Sequence, residues 1–193
     1  MTNALWYFGR GFGVSALVLF SLVVVLGILT RAGRPLPGLP RVTVSTVHRT
    51  ASLAALLFLA LHVTTLLLDP FAQLRVVDVV LPFLAAYRPL WQGLGTLALD
   101  LVVVLVASSL LRHRLGLRTW RVLHWLAYLC WPFAVAHAVG IGTDNRSGWL
   151  LGVVTACVLA VLAAVGWRFT SRRFAAPVPP ARVAPPSDLA GLR

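Results

Sequence analysis

The chain has 193 residues, 59% of them hydrophobic and only 11% charged. A soluble domain of that size carries about 25% charged residues, so the composition excludes an ordinary soluble enzyme and points to the membrane. The net charge of +12 comes from 17 Arg against five Asp, with no Lys and no Glu. Because the arginines gather at the ends of apolar runs, they read as topology signals and lipid headgroup contacts, not as a nucleic-acid surface.

A hydrocarbon layer about 30 Å thick needs about 20 apolar residues to cross it. The first run that qualifies extends from about Leu5 to Thr30. No basic segment precedes it and no A-x-A site closes it, so a retained span is expected, not a signal peptide. Its Gly9, Gly11 and Gly13 have no strand before them, which favours close helix packing over dinucleotide binding. The second span is predicted at about Val44 to Leu68. After it comes a long connection from Asp69 to Gln92. Its apolar stretch, Val76 to Ala86, is too short to cross and is interrupted by Asp78 and Pro82, which predicts an outer interfacial or re-entrant helix. The third span covers about Leu94 to Leu111, the fourth about Val122 to Ile141 and the fifth about Trp149 to Trp167. The expected fold is an all-α integral membrane bundle of five spans over residues 1–170. Residues 171–193, rich in Pro, Ala and Arg, are expected to be a disordered tail.

Arginine asymmetry sets the expected orientation. Arg31, Arg34 and Arg41 follow the first span; Arg112, Arg114, Arg118 and Arg121 follow the third; Arg168, Arg172, Arg173, Arg182 and Arg193 follow the fifth. The opposite side holds only Arg10, Arg75, Arg88 and Arg146. The positive-inside rule then places the N-terminus outside and the C-terminus in the cytoplasm of a bacterial plasma membrane.

Four of the five histidines lie within apolar spans: His48 and His62 in the second, His124 and His137 in the fourth. Histidine inside a membrane is costly and usually marks a site. Spans two and four run in the same direction, so His48 pairs in depth with His124, and His62 with His137. At about 1.5 Å per residue the two levels lie roughly 20 Å apart. That suits two stacked haem b groups, each iron held by one imidazole from each span. The helical phase fits less well: 14 residues return to within roughly 40° of the same face, but 13 land roughly 140° away. Pro132, between His124 and His137, is expected to kink that helix, which either resets its phase or leaves the two haems on different sides of it. Packing histidines, a proton relay or a transition-metal path are the competing readings. Neither of the last two accounts for the matched depths, and no carboxylate or thiol sits beside the histidines for a zinc or copper site.

His-x13-His on one span and His-x12-His on a span two later resembles the ferric reductase-like transmembrane domain, over roughly residues 5 to 170. That superfamily includes ferric reductases, NADPH oxidases and the haem-binding subunit of bacterial methionine-sulfoxide reductase. The resemblance implies that His48, His62, His124 and His137 are the axial ligands of two haem b groups. It also implies that the chain is the electron-transfer subunit of an oxidoreductase system, with no catalytic residue of its own. The chain departs from the pattern in two ways. It has five spans where the family often has six. It also shows no flavin-contacting His-Pro-Phe-Thr motif and no glycine-rich dinucleotide loop. A cytoplasmic flavoprotein or quinol is therefore the expected donor, and an outer-side acceptor or partner reductase the expected acceptor. Arg49 and Arg121 are candidates for the propionates of the inner haem, and Arg10 for those of the outer haem. Each has a plain alternative as a topology signal or a snorkelling side chain. His113 is expected in a loop at the headgroups, and Asp100 about a third of the way into the third span. The rival function is a small transporter or proton-conducting bundle whose histidines titrate.

Overall fold

The computed structural model describes residues 4–30, 40–142 and 148–173. The expected tail falls almost wholly outside them, as do Arg31, Arg34 and Arg146. Seven helices follow in order: α1 (Ala4–Thr30), α2 (Arg41–Leu68), α3 (Val76–Val80), α4 (Pro89–Leu110), α5 (Arg112–His124), α6 (Ala127–Ile141) and α7 (Gly148–Arg173). Among the described residues there is no strand. Apolar solvent forces this choice, since a lipid-embedded helix satisfies every backbone group internally. The span hydroxyls obey the same demand: Ser21 donates to the Leu17 carbonyl, Ser52 to that of His48 and Ser109 to that of Leu105.

Four helices (α1, α2, α4 and α7) are long and apolar enough to cross a membrane, and α5 with α6 makes a fifth crossing bent by 45°. The expected kink of the fourth span is present, but it lies at the α5–α6 junction and not at Pro132. Trp125, Leu126, Tyr128 and Leu129 each donate to the carbonyl three residues back, so the chain tightens there into a 3₁₀-like turn. Pro132 lies within α6. It has no N–H to give Tyr128, which leaves the segment below it free to bend.

Packing fixes the direction of each helix. Buried Leu17 of α1 meets Leu150 and Val154 of α7, while Val24 and Ile28 meet Val161 and Ala164, so α1 and α7 run parallel. The buried positions of α7 (Leu150, Val154, Cys157, Val161, Ala164) recur every three or four residues, as a single packed seam requires. Against α6 the order reverses: Ala134 to Val139 pack at Leu17, whereas Tyr128 and Trp131 pack at Val24 and Ile28. Trp131 Nε1 donates to Ser21 Oγ at 2.9 Å across the same seam. α4 and α6 are also antiparallel, with Ala98, Leu105 and Cys130 forming their core. α1 is likewise antiparallel to α2, so α2 and α6 cross in the same direction, as expected. α2 packs mainly on α1 and is the least buried of the four long spans.

One end of the bundle is capped by residues 69–88, and the expected helix over Val76 to Ala86 shortens here to α3. Leu81 leaves helical geometry (φ −111°, ψ 117°) because a residue before proline avoids it. The cap is fastened at several points. Arg75 grips Asp78 through Nε and Nη2 at 3.0 and 2.7 Å. This guanidinium holds the Asp78 carboxyl below its ordinary value, chiefly by hydrogen bonding. Thr96 Oγ1 donates to the Asp78 carbonyl at 2.7 Å. Phe83, with φ at 69°, presses its ring and backbone against Gly93, where any side chain would collide. Arg88 Nη1 closes the junction by donating to the Gly140 carbonyl at the end of α6, at 2.5 Å.

Candidate functional site

Between α2 on one side and α4 and α6 on the other, floored by α1, lies a cavity of about 1440 Å³. Pockets for one drug-sized molecule span about 300–1,000 Å³, so this one holds more than a single small ligand. All four span histidines line it.

Three of them sit in the same local structure. His62 Nδ1 donates to the Gly9 carbonyl at 2.6 Å, and a Cβ built on Gly13 would fall 2.7 Å from that nitrogen. His137 Nδ1 donates to the Trp91 carbonyl at 2.8 Å, and a Cβ on Gly95 would fall 2.5 Å away. His48 Nδ1 donates to the Val23 carbonyl at 3.1 Å, and a Cβ on Gly27 would lie 3.5 Å from the ring. In each case the glycine lies four residues after the accepting carbonyl. Its bare face admits the ring, and the carbonyl one turn back takes the Nδ1 proton. A carbonyl only accepts, so Nδ1 carries the hydrogen and the neutral ring keeps its lone pair on Nε2, on the side away from the anchor. That tautomer, fixed by a second hydrogen bond, is how ligating histidines are prepared.

The two levels are now fixed. The upper level, at the capped end, holds His62 and His137, whose ring centroids stand 6.5 Å apart with planes at 79°. Two imidazoles on one iron place their centroids roughly 6 Å apart, given metal–nitrogen bonds of about 2.0 Å and about 1.1 Å from nitrogen to ring centre. The observed gap is close to that spacing. The lower level lies where Gly27 meets His48. Tyr128 packs in the Val24–Ile28 cluster, which sets His124, one turn before it, at the same end of α1. The tight turn also answers the phase problem. Its four residues advance roughly 120° each, not 100°, which brings His137 from roughly 140° to roughly 60° of the His124 face. His124 itself is stacked on Trp120, centroids 5.0 Å apart and planes at 29°. Among the described residues, no three His, Cys, Asp or Glu side chains gather as a bare metal ion would require. Paired imidazoles on an apolar cavity instead suit a group that brings its own equatorial ligands.

Of the remaining candidates, Arg10 lines the upper part of the cavity beside the Trp6 ring, and Arg49 lines the lower part. Arg121 is exposed on α5 and does not line it, whereas Arg112 and His113 do. His113 belongs to helix α5, not to a loop. Asp100 lies mid-way along α4, deeper than expected because α4 begins at Pro89, and it does not line the cavity. Sequence reasoning missed Gly27, Gly95, Trp91 and Trp120. One signal was present: Gly13 and Gly27 are separated by the same 14 residues as His48 and His62, as expected for two antiparallel helices that meet at both rungs.

Residues 12–135, nearly two thirds of the chain, match the model of a family described as ferric reductase like transmembrane component. No curated protein and no solved structure matches the chain. The match takes in His48, His62 and His124 and ends just short of His137. The chain therefore belongs to the ferric reductase-like transmembrane family, a family of transmembrane electron transfer.

Proposed function

We propose that this protein is a di-haem b membrane cytochrome, the electron-transfer subunit of an oxidoreductase system. His62 and His137 would hold one haem and His48 and His124 the other, stacked along the cavity. Each haem, when bound, supplies one-electron exchange between ferric and ferrous iron. The protein's own part is to orient and insulate. Backbone carbonyls of Gly9, Val23 and Trp91 fix three imidazoles, and the apolar helix faces exclude water. Arg10 at the upper level, with Arg49 and Arg112 at the lower, offers cationic partners for propionates, and His113 a further hydrogen-bonding group at the lower level. Arg121, exposed and off the cavity, is left out of that set.

The observation that carries this reading is the repeated glycine-and-carbonyl mounting of imidazoles at two depths on one cavity. A titrating proton path has less support, because Asp100, the carboxylate it would use, lies off the cavity. In the proposed orientation the lower level faces the cytoplasm, where a flavoprotein or quinol supplies electrons. The capped level faces an acceptor or partner reductase outside.

The test is a pyridine haemochrome assay on detergent-purified protein. Two low-spin haem b per chain are expected in the wild type, and one, still low-spin, in His137→Ala. Colourless protein, or an unchanged haem count in His137→Ala, defeats the proposal.

A further inference from the structure

We propose that Trp120 is a positioning residue for His124: its indole fixes the plane of that imidazole and so sets the electronic state of the lower haem. The inference builds on the di-haem reading above and assigns a role to a side chain outside the ligand set.

It begins with the weakness of α5. None of its residues is buried, and Gly116 interrupts it with φ 75° and ψ 158°. The helix that carries His124 therefore supplies little of the restraint that close helix contact gives at Gly9–Gly13 and Trp91–Gly95. Trp120 precedes His124 by four residues, on the same helical face. The two rings are nearly parallel and in contact range. The indole is itself tied down, since Trp120 Nε1 donates to Ser109 Oγ at 3.4 Å. The Ser109 hydroxyl in turn donates to the Leu105 carbonyl at 2.7 Å. A continuous chain of contacts thus runs from the backbone of α4 through serine and indole to the imidazole.

This arrangement has two physical consequences. Stacking restricts rotation of the His124 ring about its Cβ–Cγ bond, which is the freedom that decides the angle between two axial imidazoles. The indole also stands at the lower end of the cavity, beside Arg112, His113 and Ser109. Its stacked face shields one side of the imidazole. Ligand orientation and local solvent access both tune a bound iron, and water reaching a haem favours its more highly charged ferric form. Removing the indole should therefore lower the potential of one haem and leave the other alone.

The experiment is a redox titration of the full-length purified protein, with low-temperature electron paramagnetic resonance of the oxidised form. In Trp120→Ala one of the two low-spin signals is expected to shift or broaden, and the midpoint potential of that haem to fall. The second haem should keep both values. Trp120→Phe retains a stacking ring and should restore the wild-type signal, while Ser109→Ala should reproduce the alanine effect in weaker form. The proposal is overturned if Trp120→Ala leaves both haems unchanged, or if it moves both alike, which would mean general loosening. If the alanine variant does not accumulate, Trp120→Leu against Trp120→Phe carries the same comparison, with the same two outcomes. A wild-type protein with fewer than two haems would defeat the underlying reading instead, and is seen before any variant is made.

Discussion

The upper and lower histidine pairs are built to different tolerances. At the upper level both rings are pinned by carbonyls, at 2.6 and 2.8 Å, against glycines that leave no room for a methyl group. A fastened cap covers that end. At the lower level His48 is held by a longer contact of 3.1 Å, its glycine stands at ordinary van der Waals distance, and His124 ends a helix with no buried residue. The difference shows where the fold invests its packing: the upper pair is set by close backbone approach, the lower by adjustable side chains.

The sharpest way to break the comparison is to fill the glycine positions. Gly95→Ala puts a methyl 2.5 Å from His137 Nδ1. Overpacking of this kind costs about 1–3 kcal/mol, or roughly ten- to a hundredfold in affinity. The upper haem should be lost on gel filtration, with one haemochrome equivalent remaining per chain. Gly13→Ala, at 2.7 Å from His62 Nδ1, should behave the same way. Gly27→Ala is the control. Its methyl would meet the His48 ring at 3.5 Å, so both haems should remain and the reduced spectrum should match the wild type. Equal losses from Gly95→Ala and Gly27→Ala would erase the distinction between the levels.

A smaller effect is expected at the cap. Asp78→Asn removes the charge that Arg75 grips, and Thr96→Val removes the tie to the Asp78 carbonyl. Amide hydrogen exchange should quicken in residues 69–88 while the spans keep their protection. The acid dependence has a definite sign. The folded-state value of Asp78 is lowered, so its contribution is complete above the ordinary carboxylate value of about 3.9. It is lost as pH falls through the lower folded value. Protection in the cap, corrected for the intrinsic pH dependence of amide exchange, should therefore fall only in acid, and Asp78→Asn should abolish that dependence.

Much of this was legible in the sequence. Apolar run lengths located the crossings, because bilayer thickness leaves few alternatives. The depths of His48, His62, His124 and His137 followed from counting residues along helices, and all four meet on one cavity. What counting missed was local geometry. The phase of His124 against His137 depended on a 3₁₀-like turn with four such hydrogen bonds between Trp125 and Leu129, and no hydrophobic period reports hydrogen bonds shifted by one residue. Arg121 shares an end of the span with His124 in the sequence, but it is exposed on α5, whereas Arg112 lines the cavity. Gly27 and Gly95 looked like ordinary small residues, since their meaning lies in what another helix places against them.

The shared interval of α1 and α2 makes the two helices matched uprights. Gly13 faces His62 and Gly27 faces His48, so both rungs recur after the same count of residues. Deleting one residue between the glycines would swing one rung by about 100° and shorten the spacing by about 1.5 Å. A matching deletion between His48 and His62 is then the natural repair. The spacing of the two histidine levels is accordingly a joint property of two helices. Connecting loops are free to lengthen over evolutionary time, but these two segments can change length only together.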